Sequence, residues 1–216
     1  MKKGILGLLW ILIIFFSYKI YDSINGPIKF NEVKNKRYAD VINRLKTIRK
    51  AQIAHKDVKG VFSNNFDSLI KFIDEGIFTL IEKRDSSYLE YDRVYRIDML
   101  REIIVVDTLG TVNVKDSLFK QNEEYKKMAF IPVKGVEDSI FEIKSMIIDK
   151  NGYKVPVFEV KVSKNIVLFD QNKDLLKQEN ETISVDGVNG PEIILGSLSN
   201  VSTNGNWPTI FDADNW

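Results

Sequence analysis

Apolar residues are most concentrated in one run near the N-terminus, from Ile5 to Tyr21, which Ser17 and Lys19 interrupt. The run spans about 17 residues, the lower limit for a helix that crosses the hydrocarbon core of a bilayer. Lys19 lies close enough to its end for the ammonium group to reach the headgroups. We therefore predict a transmembrane anchor over residues 1–24. The side chains expected to contact lipid are Ile5, Leu8, Leu9, Trp10, Ile13 and Phe16.

Two other interpretations of this run remain open. A cleaved signal peptide also begins with basic residues, here Lys2 and Lys3, followed by an apolar stretch. The sequence after the run, SYKIYDSINGP, contains no small-x-small cleavage site and carries aromatic residues typical of a membrane interface. A helix buried in a protein core is the other alternative. An uncleaved anchor fits the pattern best.

The charges that flank the run give conflicting indications of orientation. Two basic residues precede it, whereas a larger group lies near or beyond its other end: Lys19, Lys29, Lys34, Lys36 and Arg37. A strict count would place the following domain in the cytoplasm. A short basic tail ahead of an apolar core is nevertheless typical of exported proteins. We therefore expect a single-pass protein of the inner membrane whose domain lies in the periplasm.

Residues 25–76 follow a helical pattern after an expected break at Gly26-Pro27, because glycine favours non-helical backbone and proline restricts the residue before it. We predict that a helix restarts with Asn31 as its N-cap. The apolar positions of this helix recur with the spacing of a single helical face. They are Tyr38, Val41, Ile42, Leu45 and Ile48.

The amphipathic helix is predicted to end at Gly60, because glycine readily adopts the left-handed conformation that terminates helices. Phe62 is placed to pack back against the helix. A second, shorter helix is expected in FDSLIKFIDEG, with Asn64 or Asn65 as its cap and Gly76 at its end. The glycine thus turns the chain so that the short helix packs on the long one.

Basic residues dominate the amphipathic helix, with ten Lys or Arg against three acidic residues between positions 29 and 59. One interpretation is a basic face that contacts anionic headgroups or an acidic partner. The other is the solvated outer face of a helix that packs on a sheet. The candidate interaction residues are Arg37, Arg44, Lys46, Arg49 and Lys50.

The remaining residues, 77–216, are predicted to be β-rich. Ile103 to Val106 form a continuous apolar run typical of a buried strand. The segment FEIKSMIIDKNGYKVPVFEVKV predicts a hairpin that turns at Asn151-Gly152. Shorter strands are expected in ETISVDG and EIILGSL. The expected fold is therefore α+β: an N-terminal transmembrane helix, then a long amphipathic helix packed on an antiparallel β-sheet, with helix and sheet in one domain.

Composition excludes several function classes. The net charge of +1 gives no reason to expect nucleic-acid binding, and the absence of cysteine excludes disulfides and thiol chemistry. His55 is the only histidine, so a multi-histidine metal site cannot form, and we expect His55 to be a helix-surface or interface residue. The sequence has no glycine-rich phosphate loop and no nucleophile elbow. We therefore expect neither an enzyme nor a cofactor.

One acidic segment, DQNKDLLKQENE, has part of the spacing of a calcium-binding loop. Asp170, Asn172, Asp174 and Glu181 occupy positions 1, 3, 5 and 12 of that pattern. Position 6, which needs glycine for its turn, is Leu175. A solvated polar turn is the alternative interpretation.

Residues 1–75 contain several pieces of a known pattern: Lys2-Lys3-Gly4 before the apolar run, Ala51-Gln52 within the amphipathic helix, and Lys59-Gly60, Phe62 and Leu69 after it. His55 stands where an aromatic residue is common in that pattern. In these features the chain resembles type IV pilins and the pseudopilins of type II secretion. The resemblance implies a long N-terminal helix against an antiparallel sheet and a role in an envelope assembly.

Members of those families usually carry a glutamate five residues after the leader glycine, and the families use it in subunit assembly. The corresponding residue here is Leu9. The resemblance therefore implies a membrane-anchored pilin-like protein rather than a filament subunit.

These observations favour a non-catalytic structural or interaction component of a bacterial envelope assembly, such as a secretion, pilus-like or motility apparatus. The expected partners are the lipid bilayer and other envelope proteins that contact the basic helix, with homo-oligomer formation as a further option. No nucleic-acid partner is expected. The alternative function is an anchored sensor domain that binds a ligand or calcium. An enzyme whose site the sequence does not reveal is a third hypothesis.

Overall fold

The computed structural model describes residues 2–120 and 122–212, with the backbone alone for residues 2–6 and 8. The helices are α1 (Lys2–Lys59), α2 (Phe66–Glu75), α3 (Val114–Leu118), α4 (Lys164–Val167) and α5 (Lys173–Asn180). The strands are β1 (Ile77–Asp92), β2 (Ile97–Asn113), β3 (Glu142–Lys150), β4 (Tyr153–Ser163) and β5 (Glu192–Gly196). Short 3-10 helices cover Glu124–Lys127 and Thr209–Phe211. A long N-terminal helix with antiparallel sheets confirms the predicted α+β class.

Helix α1 is continuous through Gly26 and Pro27, so the predicted break and the predicted N-cap at Asn31 are wrong. Proline removes one backbone donor and so leaves the carbonyl of Ser23, four residues earlier, without its intrahelical bond. This loss concerns a single hydrogen bond in a helix of 58 residues. The turn around Pro27 is also partly exposed, so water can hydrate the freed carbonyl.

The first part of α1 carries large apolar side chains that do not pack on the rest of the described chain. Their exposed fractions include 61% for Trp10, 66% for Ile14 and 58% for Ile24. Within the residues that the structure describes, no helical stretch combines the length and apolar character needed to span a membrane.

From Phe30 onward α1 becomes part of a packed core. The predicted stripe is confirmed, because Tyr38, Val41, Ile42, Leu45 and Ile48 are all buried. The same hydrophobic cluster includes residues of α2, of the sheet β3–β4–β5 and of the C-terminal segment around Trp207. Burial of apolar surface between these elements is the main stabilising contribution to the body of the protein.

The predicted turn after α1 is also confirmed. Gly60 has φ of +78°, and its N–H donates to the carbonyl of Lys56 at 2.7 Å. Asn65 caps α2, since its side chain accepts a hydrogen bond from the backbone N–H of Asp67. Phe62 is buried, with its ring centroid 4.5 Å from that of Phe158 in β4. Local cap chemistry thus fixes how α2 returns onto α1.

The central sheet has the order β3–β4–β5, all antiparallel. The predicted hairpin turn is confirmed, because Asn151 and Gly152 both have positive φ angles, of 56° and 82°. The strand expected in EIILGSL is β5. The prediction of a strand in ETISVDG is wrong. Ile183 is 92% exposed, and the segment forms a local loop in which Gly190 N–H donates to the Thr182 carbonyl.

Strands β1 and β2 form a separate antiparallel hairpin, here called the β-arm (residues 77–113). Only its base touches the core, through the partly buried Phe78. Ile103 to Val106 form a strand, as predicted. The prediction that this strand is buried is wrong, because Ile104 is 65% exposed and Val106 is 52% exposed. Among the described residues, no second layer covers the strand.

Candidate interaction site on the basic side of the long helix

Arg37 on α1 binds the segment between α4 and α5. Its two terminal nitrogens donate to the two oxygens of Asp170, at 2.6 and 2.8 Å, and one of them also donates to the carbonyl of Val167 at 2.9 Å. Such fork-shaped pairs between arginine and a carboxylate are among the stronger charge-assisted hydrogen bonds. The Arg37 hydrogen bond lowers the pKa of Asp170 to about 2.

A buried carboxylate, Glu179 on α5, lies close to this ion pair along α1. Lys164 Nζ approaches Glu179 Oε1 at 3.0 Å, and Lys34 Nζ approaches Oε2 at 3.0 Å. The hydroxyl of Tyr38 donates to Oε1 at 3.2 Å. Three donors from two different parts of the chain therefore converge on one carboxylate, and two of them belong to α1.

The ammonium group of Lys164 is saturated with acceptors. Besides the Glu179 carboxylate, it donates to the backbone carbonyls of Glu179 and Val188, each at 2.8 Å. Burial lowers the pKa of Lys164, and burial also raises the pKa of Tyr38, with Glu179 adding to the latter effect. All three N–H groups of Lys164 are therefore bonded to acceptors of the protein itself.

The other predicted basic residues also contact the protein's own body. Arg44 donates to the Glu124 carbonyl at 3.1 Å, and Lys46 donates to the carbonyl of Phe211. The guanidinium of Arg49 lies 5.4 Å from the Trp207 ring centroid, a cation–π geometry. Among the five candidate residues, Lys50 alone is exposed and the other four are partly buried. Most of the basic side of α1 therefore stabilises contacts within the chain.

A small cavity of about 140 Å³ lies beside the Glu179 cluster, between α1 and the loop that follows α5. Lys34, Tyr38 and Glu179 line it together with residues 186–188 and Phe211. Of the residues that line it, Lys34 and Tyr38 are already hydrogen-bonded to Glu179. The arrangement therefore serves to fix α5 and its loop against α1.

The structure shows other contacts or positions for the predicted calcium ligands. Asp170 is held by Arg37, and Asn172 is the N-cap of α5, where its side chain accepts from the N–H groups of Asp174 and Leu175. Glu181 is the residue at the other end of that helix. No group of three or more His, Cys, Asp or Glu residues that could hold a metal ion occurs among the residues that the structure describes. The calcium hypothesis therefore gains no support from the structure.

His55 has a local structural role. Its Nδ1 lies 2.6 Å from the carbonyl oxygen of Val61, and its ring packs edge-on against Phe72 with centroids 4.9 Å apart. The histidine thus helps to hold the Gly60 turn against α2.

The predicted anchor residues fall in two groups. Leu9, Trp10, Ile13 and Phe16 are exposed on α1, with fractions between 49% and 61%. The side chains of Ile5 and Leu8 lie outside those that the structure describes.

Sequence reasoning missed Lys164 and Glu179, the most deeply buried charged pair. Lys164 directly follows an alternating strand, and Glu179 lies in a short helix, KDLLKQEN, that is polar apart from its two leucines. Neither position carries a pattern that distinguishes it from a solvated charge.

No protein-family model, curated protein or solved structure matches this chain.

Proposed function

We propose that this protein is a membrane-anchored, pilin-like structural component of a bacterial envelope assembly. The N-terminal part of α1 is the anchor in this proposal. The body formed by the rest of the chain is a non-catalytic docking module on the periplasmic side. Other envelope proteins bind that module.

The main support for the proposal is the change in environment along α1, which is one unbroken helix. Large apolar side chains from Leu9 to Ile28 are exposed, whereas the stripe from Tyr38 to Ile48 is buried in the body. An exposed apolar row of this extent is unfavourable in water and favourable in a bilayer. In this proposal, contact with lipid accounts for the exposed apolar side chains of the first part of α1. Packing in the body accounts for the buried stripe of the later part.

The charge arrangement supports a structural rather than a chemical role. The buried amine of Lys164 is fully hydrogen-bonded, and the Arg37–Asp170 pair joins α1 to the segment before α5. These contacts stabilise one arrangement of the body. A docking module benefits from such rigidity, because less conformational entropy is lost on binding.

Fractionation of cells that produce the full chain tests the anchor. We expect the protein to stay with membranes through a high-salt wash and to be released by detergent. The double variant Ile13→Lys/Ile14→Lys should be released by salt alone, because two charges in the middle of the apolar stretch strongly disfavour insertion.

The matched control is Leu89→Lys/Leu100→Lys in the β-arm, where both leucines are as exposed as the two isoleucines. This variant should remain with the membrane fraction. Release of the unmodified protein by salt would contradict the proposal. A reporter that is active on one side of the membrane only, fused to the C-terminus, tests the periplasmic orientation separately.

A further inference from the structure

The β-arm exposes large apolar side chains along most of its length. Leu89, Leu100 and Ile104 are 67%, 62% and 65% exposed. An isolated two-stranded hairpin is at best marginally stable in water, and a third strand or a packed layer is normally needed. Beyond its base the arm has neither among the described residues. A hairpin of this kind is suited to pairing with another strand.

The two edges of the arm differ in their suitability for pairing. The middle of β1 carries four consecutive charged residues, Glu82–Asp85, and charged residues on an edge oppose strand addition. At the same level β2 carries Ile103–Val106, four β-branched apolar residues with no charge. Beyond β1, β2 has no strand neighbour in the described chain. The outer edge of β2 is thus the better template.

We infer that the outer edge of β2 pairs antiparallel with β2 of a second copy of this chain, about a two-fold axis at Ile104. Such an interface is isologous, so each contact occurs twice. The result is a four-stranded sheet in the order β1–β2–β2–β1. In this register Ile103 lies opposite Val105 of the second copy, and Arg101 lies opposite Asp107 of the second copy.

Charge complementarity selects this register. Within one copy, Arg101 Nε pairs with Glu90 at 2.8 Å, and Arg84 pairs with Asp107. The cross-strand register places all four of these side chains on the same face of the arm. Pairing about Ile104 therefore produces a row of side chains with alternating charge across the sheet. The row consists of Glu90 and Arg101 of one copy followed by Asp107 and Arg84 of the other.

Neighbouring registers lose this complementarity. An axis at Ile103 would place Arg101 opposite Val105, and an axis at Val105 would place it opposite Leu109. An axis at Glu102 would place two carboxylates opposite each other, which is destabilising. The irregularity in the β1–β2 pairing lies near Leu80, outside the stretch of β2 from residue 100 to 108 that the Ile104 register uses.

Charge exchange between copies tests both the partner and the register. The full chain is kept in detergent, so that the exposed part of α1 is covered, and its self-association is measured by analytical ultracentrifugation. The variants are Arg101→Asp and Asp107→Arg. Each places like charges opposite each other at two symmetric positions of the homodimer.

We expect each single variant to weaken dimer formation by about tenfold or more, because two opposite-charge pairs become two repulsive ones. An equimolar mixture should form heterodimers with the affinity of the unmodified protein. In that mixture both symmetric pairs again carry opposite charges. Loss of an ion pair within one arm cannot produce this rescue.

The matched control is Arg93→Asp, in the turn at the tip of the arm and outside both strands. It should leave dimer formation unchanged. A monomeric unmodified chain would overturn the inference. A dimer insensitive to both single variants would also overturn it, because association would then use another surface, such as α1.

Discussion

Lys164 Nζ and Glu179 Oε1 lie 3.0 Å apart, and the Lys164 side chain is fully buried while that of Glu179 is 9% exposed. Lys164 begins α4 directly after β4, and Glu179 lies on α5. Lys34 and Tyr38 reach the same carboxylate from α1. One side chain therefore connects the long helix, the end of the central strand and the short helix that follows.

Glu179→Gln should strongly destabilise the body, because it leaves the buried ammonium of Lys164 without its carboxylate. Removal of one partner from a buried ion pair costs about 3–5 kcal/mol of unfolding free energy. Urea denaturation followed by circular dichroism measures this. The control is Glu181→Gln, an exposed residue at the end of the same helix, which should change the free energy by less than about 0.5 kcal/mol. Equal effects in both variants would show that Glu179 is not a central contact.

Stability should fall at high pH because of Tyr125. Burial and a 2.5 Å hydrogen bond to Asp74 raise the pKa of Tyr125 from 10.0 to about 12. The folded state therefore retains a proton that the unfolded state releases. This contribution is fully present below pH 10 and is lost as the pH rises through about 12.

Denaturation curves recorded from neutral pH to about pH 12 test this expectation. Tyr125→Phe should show a smaller loss of stability across the alkaline range than the unmodified chain. Tyr153→Phe, at a tyrosine that is 75% exposed, is the control and should follow the unmodified chain. Parallel curves for all three proteins would contradict the prediction.

Acid stability should depend on Asp170, whose pKa Arg37 lowers from 3.8 to about 2. The folded state thus releases a proton more readily than the unfolded state. The resulting stabilisation is present above pH 3.8 and is lost as the pH falls through about 2. Since the Asp170 side chain is 42% exposed, we expect Asp170→Asn to cost no more than about 1 kcal/mol at neutral pH.

The measurement is the unfolding free energy of Asp170→Asn between neutral pH and about pH 2. The difference from the unmodified chain should shrink towards the acid end. Asp174→Asn, at an exposed position in the first turn of α5, serves as a control. A difference that does not change with pH would mean that the ion pair with Arg37 is not its source.

Gly196→Ala should be more destabilising than Gly152→Ala. Both glycines have positive φ, of +80° and +82°, so both substitutions strain the backbone by about 1 kcal/mol. A Cβ at Gly196 would in addition collide with the carbonyl of Phe158, whereas a Cβ at Gly152 would meet open space. We expect the thermal unfolding midpoint to fall clearly further for Gly196→Ala. Equal midpoints would contradict this prediction and would show that β5 shifts to relieve the contact with Phe158.

Features set by local chemistry were predictable from the sequence. The stripe from Tyr38 to Ile48, the turn at Gly60 and the hairpin at Asn151-Gly152 each depend on spacing or backbone preference within a few residues. Their physical causes are contained in the segments themselves, so a single sequence is enough to identify them.

Features set by distant contacts were not predictable. The apolar run Ile103–Val106 has the composition of a buried strand, but burial depends on whether another layer packs on it. Likewise Lys34 and Glu179 are 145 residues apart, and nothing near either position indicates their contact. The helix break expected at Pro27 failed for another reason: proline removes one hydrogen bond, and a long helix tolerates this loss.

The contacts between α1 and the C-terminal segment also constrain the order of synthesis and folding. Lys46 bonds to the carbonyl of a residue made 165 positions later, and Arg49 stacks on Trp207. While the ribosome is still producing the intervening strands, the apolar stripe of α1 has no complete surface to cover it. Nascent chains halted before Trp207 should therefore remain open to protease and to chaperones, and closure of the body is a late event.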